Sequence, residues 1–251
     1  MRELASALAS RVGVAVEPVS LLHSSGVPAD RLGGTRAEIF EPAVTRRAEA
    51  GARDFLVVPL FFGPSRALTD YLPERVRALR EKVPDLAVRV VPPLFAADDT
   101  RLARILADNV RTVAAAPARV ALVDHGSPVP AVTEVREALA RQLARELGGA
   151  TKVVGCCMER RPEPAYDFNE PMLEKLLARD GWNSGDVVIA MQFLLPGRHA
   201  GPDGDVAQIG RRAAEAHAGL RVRLTPLVAE HPLLTEILAD RWRAGRAAAP
   251  L

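Results

Sequence analysis

The sequence has 251 residues, 48% hydrophobic and 25% charged, with 33 Lys and Arg against 31 Asp and Glu for a formal charge of +2. This length and composition suit a folded chain of one large domain or two lobes with a substantial core. The near-balance of charge and the lack of a lysine-rich run argue against a nucleic-acid-binding arm, and no apolar run resembles a signal peptide or membrane span.

In chain order, the periodicity predicts a helix over 1–12, a strand over 15–22, a helix over 35–51 and a strand over 54–62. A helix over 69–83, a strand over 87–92 and a helix over 99–114 follow. The pattern then resumes with a strand over 118–123, a helix over 130–147, a strand over 151–158 and a helix over 169–179. A strand over 186–194, a helix over 204–218, a strand over 220–225 and a helix over 232–245 complete it. Strands such as "DFLVVPLFF" and "DVVIAMQFLL" are nearly continuous apolar runs, as expected where helices cover both faces of a parallel sheet. The alternation argues for an α/β fold. The two cysteines, Cys156 and Cys157, are strand neighbours that point to opposite faces, so they read as small buried residues of a reducing compartment, and the chain as cytoplasmic.

The chain also repeats itself. "RELASALASRVG" at 2–13 matches "REALARQLARELG" at 136–148, and "PLFFGPSRA" at 59–67 matches "MQFLLPGRH" at 191–199. "ILAD" stands at 105–108 and again at 237–240, an offset of 132 residues. Three blocks in one order at nearly one offset indicate two copies of one α/β unit, divided as 1–115 and 116–251. The second copy opens with "RVALVDHGSPVPAVTE" before its first helix; the first begins inside that helix, without the corresponding strand and histidine loop.

Chemistry is concentrated at strand ends. His125 in "ALVDH" and His199 in "FLLPGRH" each follow a buried run, and the C-terminal ends of parallel strands share the edge where ligands generally bind. Two imidazoles there could hold one divalent cation, although neither motif has close ligand spacing. Glu159, ending "KVVGCCME", would reach the same edge, as a further ligand, a proton acceptor or simply a charge entering solvent. His217 and His231 read as helix-end residues, and His23 falls beside the position of Glu159 in the repeat. Asp203 and Asp205 read as caps of the following helix. No GxGxxG or Walker loop is present, which argues against nucleotide binding.

"ALVDHGSP" followed by "FLLPGRHAGPDGDV" resembles the paired histidine motifs of CbiX-type sirohydrochlorin chelatases, relatives of the class II chelatases. The two-copy layout is similar to the long form of that family, which implies two flavodoxin-like parallel-sheet lobes related by duplication. The resemblance implies ATP-independent insertion of cobalt or iron into sirohydrochlorin or a related tetrapyrrole, in cobalamin or siroheme synthesis. The metal is then a co-substrate, with no tightly bound cofactor. His125 and His199 would bind it and take up pyrrole protons, with Glu159 as an acidic partner. Where the second lobe has Arg198-His199 the first has Arg66-Ala67, so one metal site is expected. Phe61, Phe62 and Arg66 would contribute a substrate wall, and Arg66 and Arg198 could each pair with a substrate carboxylate. The alternative is a non-catalytic tetrapyrrole- or metal-binding protein descended from a chelatase. A monomer is expected, with dimerisation through an exposed sheet edge as the other possibility.

Overall fold

The computed structural model describes residues 1–21, 29, 34 and 36–251; His23 lies outside the described residues. The chain runs α1 (Arg2–Val12), β1 (Val19–Ser20), β2 (Glu38–Ile39), α2 (Phe40–Glu49), β3 (Asp54–Val57), α3 (Leu72–Lys82), β4 (Ala87–Val90) and α4 (Arg101–Val113). It continues with β5 (Arg119–Asp124), α5 (Pro130–Leu147), β6 (Lys152–Cys157), α6 (Leu173–Leu177), β7 (Gly185–Met191), α7 (Asp205–Ala216), β8 (Leu220–Leu224) and α8 (Leu233–Gly245). Among the described residues the paired strands all run parallel, as the continuous apolar runs imply. Among the described residues, no helix is long and apolar enough to cross a membrane.

Two compact units form, Met1–Leu94 with Thr235–Leu251, and Phe95–Leu234. These limits differ from the halves 1–115 and 116–251 read from the repeat, because the last helix of each half joins the other unit. α4 belongs to the second unit, where Asn109 Nδ2 donates to Pro226 O at 3.2 Å and Leu102, Ile105, Leu106 and Val110 are buried. Most of α8 belongs to the first, where Arg241 Nη2 donates to Leu94 O at 3.0 Å and Leu251 N to Val88 O at 2.8 Å. Each fully buried Leu or Ile on such a helix contributes about 2 kcal/mol, enough to hold the helix in the unit that buries it rather than the one next to it in sequence.

In the second unit the sheet order is β6-β5-β7-β8. β5 is central, and Val120 to Val123 are fully buried. One sheet face packs Ala121, Val123, Cys156, Ile189 and Met191 against Leu173, Leu177, Val206 and Ile209 of α6 and α7. Cys156 and Cys157 are free and buried, and burial pushes the Cys157 thiol up to about 11.

The first unit holds two separate two-stranded sheets, β1-β2 and β3-β4. By the repeat, β1 corresponds to β6, and β3 and β4 to β7 and β8. The counterpart of β5, which joins β6 to β7 in the second unit, is missing among the described residues of the first. β3 also stops at Val57, short of the expected 62: Pro59 offers no N–H, and its partner β4 runs into Pro92 and Pro93.

Candidate functional site

Strand order in the second unit reverses between β5 and β7: the chain passes from β5 outward to β6, then returns to the other side of β5 for β7. Loops after the two strands flanking such a reversal border the crevice where parallel sheets bind ligands. His125 follows β5 and His199 lies in the loop after β7. Their ring centroids are 4.7 Å apart, with the ring planes at 82°.

Several buried groups fix the first loop. Asp124, the last residue of β5, accepts the Gly126 N–H at 3.1 Å and pairs with fully buried Arg136 of α5 at 3.2 Å. Burial pushes the Asp124 carboxyl up, against the pull of the Arg136 guanidinium. Buried Asn169 accepts the Ser127 N–H at 2.9 Å and donates to the Ser127 carbonyl at 2.9 Å, clamping that backbone from the side. Gly126 has φ 93°, and a Cβ there would lie 2.0 Å from the Glu159 carbonyl oxygen. Only glycine fits so close an approach.

That approach continues the β5-β6 pairing beyond the strands, since Met158 N bonds Asp124 O at 2.7 Å and Glu159 N bonds His125 O at 3.2 Å. The Glu159 carboxylate thereby stands 3.4 Å from His125 Nε2. Both side chains are about half exposed, so the contact contributes little to stability and leaves both groups open to a ligand.

The second loop folds back onto the start of α7. Asp205 N and Val206 N bond the carbonyls of Arg198 and His199 at 3.3 and 3.2 Å. A Cβ on Gly204 would lie 2.6 Å from the His199 oxygen. This return brings Asp205 Oδ2 to 2.6 Å from His199 Nδ1. In the tautomer with its proton on Nδ1, the ring donates to this carboxylate and the Nε2 lone pair is left for an incoming ion. Asp205 is therefore not the helix cap expected from its position. Gly204 occupies the cap, without a side-chain bond, and Asp203 meets Arg211 at 3.3 Å. The signal that could have identified Asp205 is a carboxylate six residues beyond a histidine in a glycine-rich turn.

With metal–nitrogen bonds of about 2.1 Å, two imidazoles on one cation hold their ring centroids roughly 4.5–5.5 Å apart, which accommodates the observed separation. Among the described residues, no three or more His, Cys, Asp or Glu form a cluster suited to hold a metal ion. The arrangement offers an open pair of nitrogens with one carboxylate nearby, suited to an ion that must leave again.

The other candidates lie elsewhere. Arg198 is 85% exposed and approaches Asp205 at 3.9 Å. Phe61, Phe62 and Arg66 are in the first unit beyond β3, the phenylalanines half-buried and the arginine exposed. His217 ends α7, and His231 Nδ1 accepts the Leu233 N–H at 3.2 Å, so both sit at helix ends as expected. A cavity of about 470 Å³ beside β6, lined by Arg141, Val153 and Phe168, does not include either candidate histidine.

A family model described as CbiX matches residues 119–244, half of the chain and the part that carries both histidines. No curated protein matches the sequence. Among solved structures, SirB from Bacillus subtilis with Fe3+ is similar at a TM-score of 0.74 and 17% identity, covering 98% of this chain and 88% of that one. SirB from Bacillus subtilis subspecies spizizenii in complex with cobalt gives 0.69 and 17%, over 97% and 88% of the two chains. CbiX, described as the terminal enzyme for siroheme biosynthesis in denitrifying bacteria, gives 0.59 and 19%, over 98% and 90%. At these identities the likeness establishes a shared fold.

Proposed function

Because the chain belongs to the CbiX family, we propose that it inserts a divalent metal, cobalt or iron, into sirohydrochlorin without ATP, on a route to cobalamin or siroheme. The observation that carries this reading is the pairing of His125 with His199 at the strand-order reversal, with Glu159 and Asp205 beside them. The two SirB structures are named with Fe3+ and with cobalt, which supports iron and cobalt as the elements handled, the iron there being trivalent.

The reaction replaces two pyrrole protons by one divalent ion. His199, oriented by Asp205, offers Nε2 to the incoming metal, and His125 offers the second nitrogen. As the ion passes to the pyrrole nitrogens, the freed imidazoles take up the displaced protons. Glu159, 3.4 Å from His125 Nε2 and more than half exposed, hands protons onward to water. Arg198, and in the first unit Arg66, Phe61 and Phe62, are the candidates for substrate contact. Two evolutionary halves, 1–115 and 116–251, in one cytoplasmic, monomeric chain belong to the same proposal.

The second reading, a tetrapyrrole- or metal-binding protein without turnover, draws on Ala67, which stands where the second half has His199. The test is the absorption spectrum of sirohydrochlorin mixed with cobalt(II) or iron(II), with catalytic amounts of protein and no ATP. The proposal requires many turnovers per chain, faster than without protein. A spectral change that stops at one equivalent would replace it with the binding reading.

A further inference from the structure

The loop leaving β6 carries a cation that the chemistry above does not use. Arg161 lies two residues beyond Glu159, on the strand-end edge that also bears His125, and is exposed. Exposed as it is, its guanidinium is held: it lies over the Tyr166 ring at 5.3 Å from the centroid, and Nη1 donates to Tyr166 Oη at 3.1 Å. Its main-chain carbonyl accepts from Arg160 Nη1 at 2.8 Å. Two nearby anions, Asp167 and Glu170, are engaged by other cations. Arg160 takes Asp167 at 2.9 Å and Glu170 at 2.8 Å, and Lys175 takes Glu170 at 2.7 Å.

A free surface arginine must be ordered before it can grip an anion, at an entropic cost. The ring and hydroxyl of Tyr166 have already met part of that cost. Nη1 is the nitrogen engaged, and the opposite edge, Nε with Nη2, is the one that matches a carboxylate with two parallel bonds. We propose that Arg161, preset by Tyr166, binds a carboxylate on the rim of the tetrapyrrole. This subsite rests on the chelatase reading of the adjoining histidines and adds the group that selects an acidic substrate. Arg161 acts on binding, not on the bonds that change.

The test uses the full chain and metal-free sirohydrochlorin, with Kd from absorption titration and KM and kcat from cobalt(II) insertion. Arg161→Gln is expected to raise Kd and KM about tenfold, the loss of one solvent-exposed bidentate guanidinium–carboxylate contact, with kcat within about twofold. Arg161→Lys should recover part of the affinity, and Tyr166→Phe should lose about two- to threefold. Unchanged Kd and KM in Arg161→Gln, with normal wild-type insertion, would overturn the subsite and leave the chelatase reading standing. Wild-type binding without insertion, weakened by Arg161→Gln, would support the subsite and remove the chelatase reading. A wild-type chain that neither binds nor metallates sirohydrochlorin would overturn both.

Discussion

Replacing Gly126 by alanine tests the close approach that brings His125 and Glu159 together. At φ 93° an L-residue lies outside its ordinary left-handed region, at a cost of about 1–2 kcal/mol. The added Cβ would stand 2.0 Å from the Glu159 carbonyl oxygen and 3.3 Å from Cys157 Cβ. Since such contacts are essentially never shorter than 3.0 Å, the two backbones must part by about 1 Å. Overpacking of this kind costs a further 1–3 kcal/mol or so. A total near 3 kcal/mol lowers the melting temperature by roughly 6–12 °C. The same displacement opens the 3.4 Å contact between His125 and Glu159, and misplacement by about 1 Å commonly costs about a hundredfold in rate. Thermal melting by circular dichroism and the rate of metal insertion measure the two effects. An alanine variant with wild-type melting and rate would refute the argument that glycine is required here.

Asp205→Ala removes the acceptor that orients His199; insertion should slow about ten- to a hundredfold with melting within about 2 °C, and a rate within twofold of wild type would contradict this role. Arg136→Ala leaves the Asp124 carboxylate buried without its partner, and should cost about 3–5 kcal/mol in urea unfolding at pH 7, so a loss under about 1 kcal/mol would show the pair to be unimportant. Lys175, with Arg160 and the Met172 N–H, holds the Glu170 carboxyl down to about 2, below its ordinary 4.5. Its contribution is therefore complete above about pH 4.5 and is lost as pH falls from there toward 2. Discounted for partial exposure, it is about 1 kcal/mol: between pH 5 and 2.5 the urea midpoint should fall by about 0.5 M more in wild type than in Glu170→Gln, and equal falls would contradict the assignment.

Much of this architecture was readable from residue pattern because local signals and burial agree. α5 occupies the expected 130–147, with Pro130 at its first position and Gly148 at positive φ beyond its end. β5, β6 and β7 have apolar residues on both faces and lie within one to three residues of their expected limits. Agreement fails in the first unit, where β1 keeps two of the seven described residues of its expected strand and β2 lies inside an expected helix. There the counterpart of β5 is missing among the described residues, so an apolar run lacks the neighbour that would make it a longer strand. The exchange of α4 and α8 was not legible either, because amphipathic periodicity reveals a buried face and not which sheet it covers. At the candidate site, His125, Glu159 and His199 share one edge because parallel topology dictates it. Asp205 escaped because an acid at a helix start reads first as a cap.

The central claim is that His125 and His199 act on one metal ion during insertion into sirohydrochlorin. The most direct measurement is a cycle of initial cobalt(II) insertion rates for wild type, His125→Ala, His199→Ala and the double variant, with unchanged melting as the control for folding. If both nitrogens serve one ion, either single change removes most of the acceleration and the double variant is no slower than the slower single. Losses that multiply in the double variant, or a single variant at wild-type rate, would contradict a shared ion.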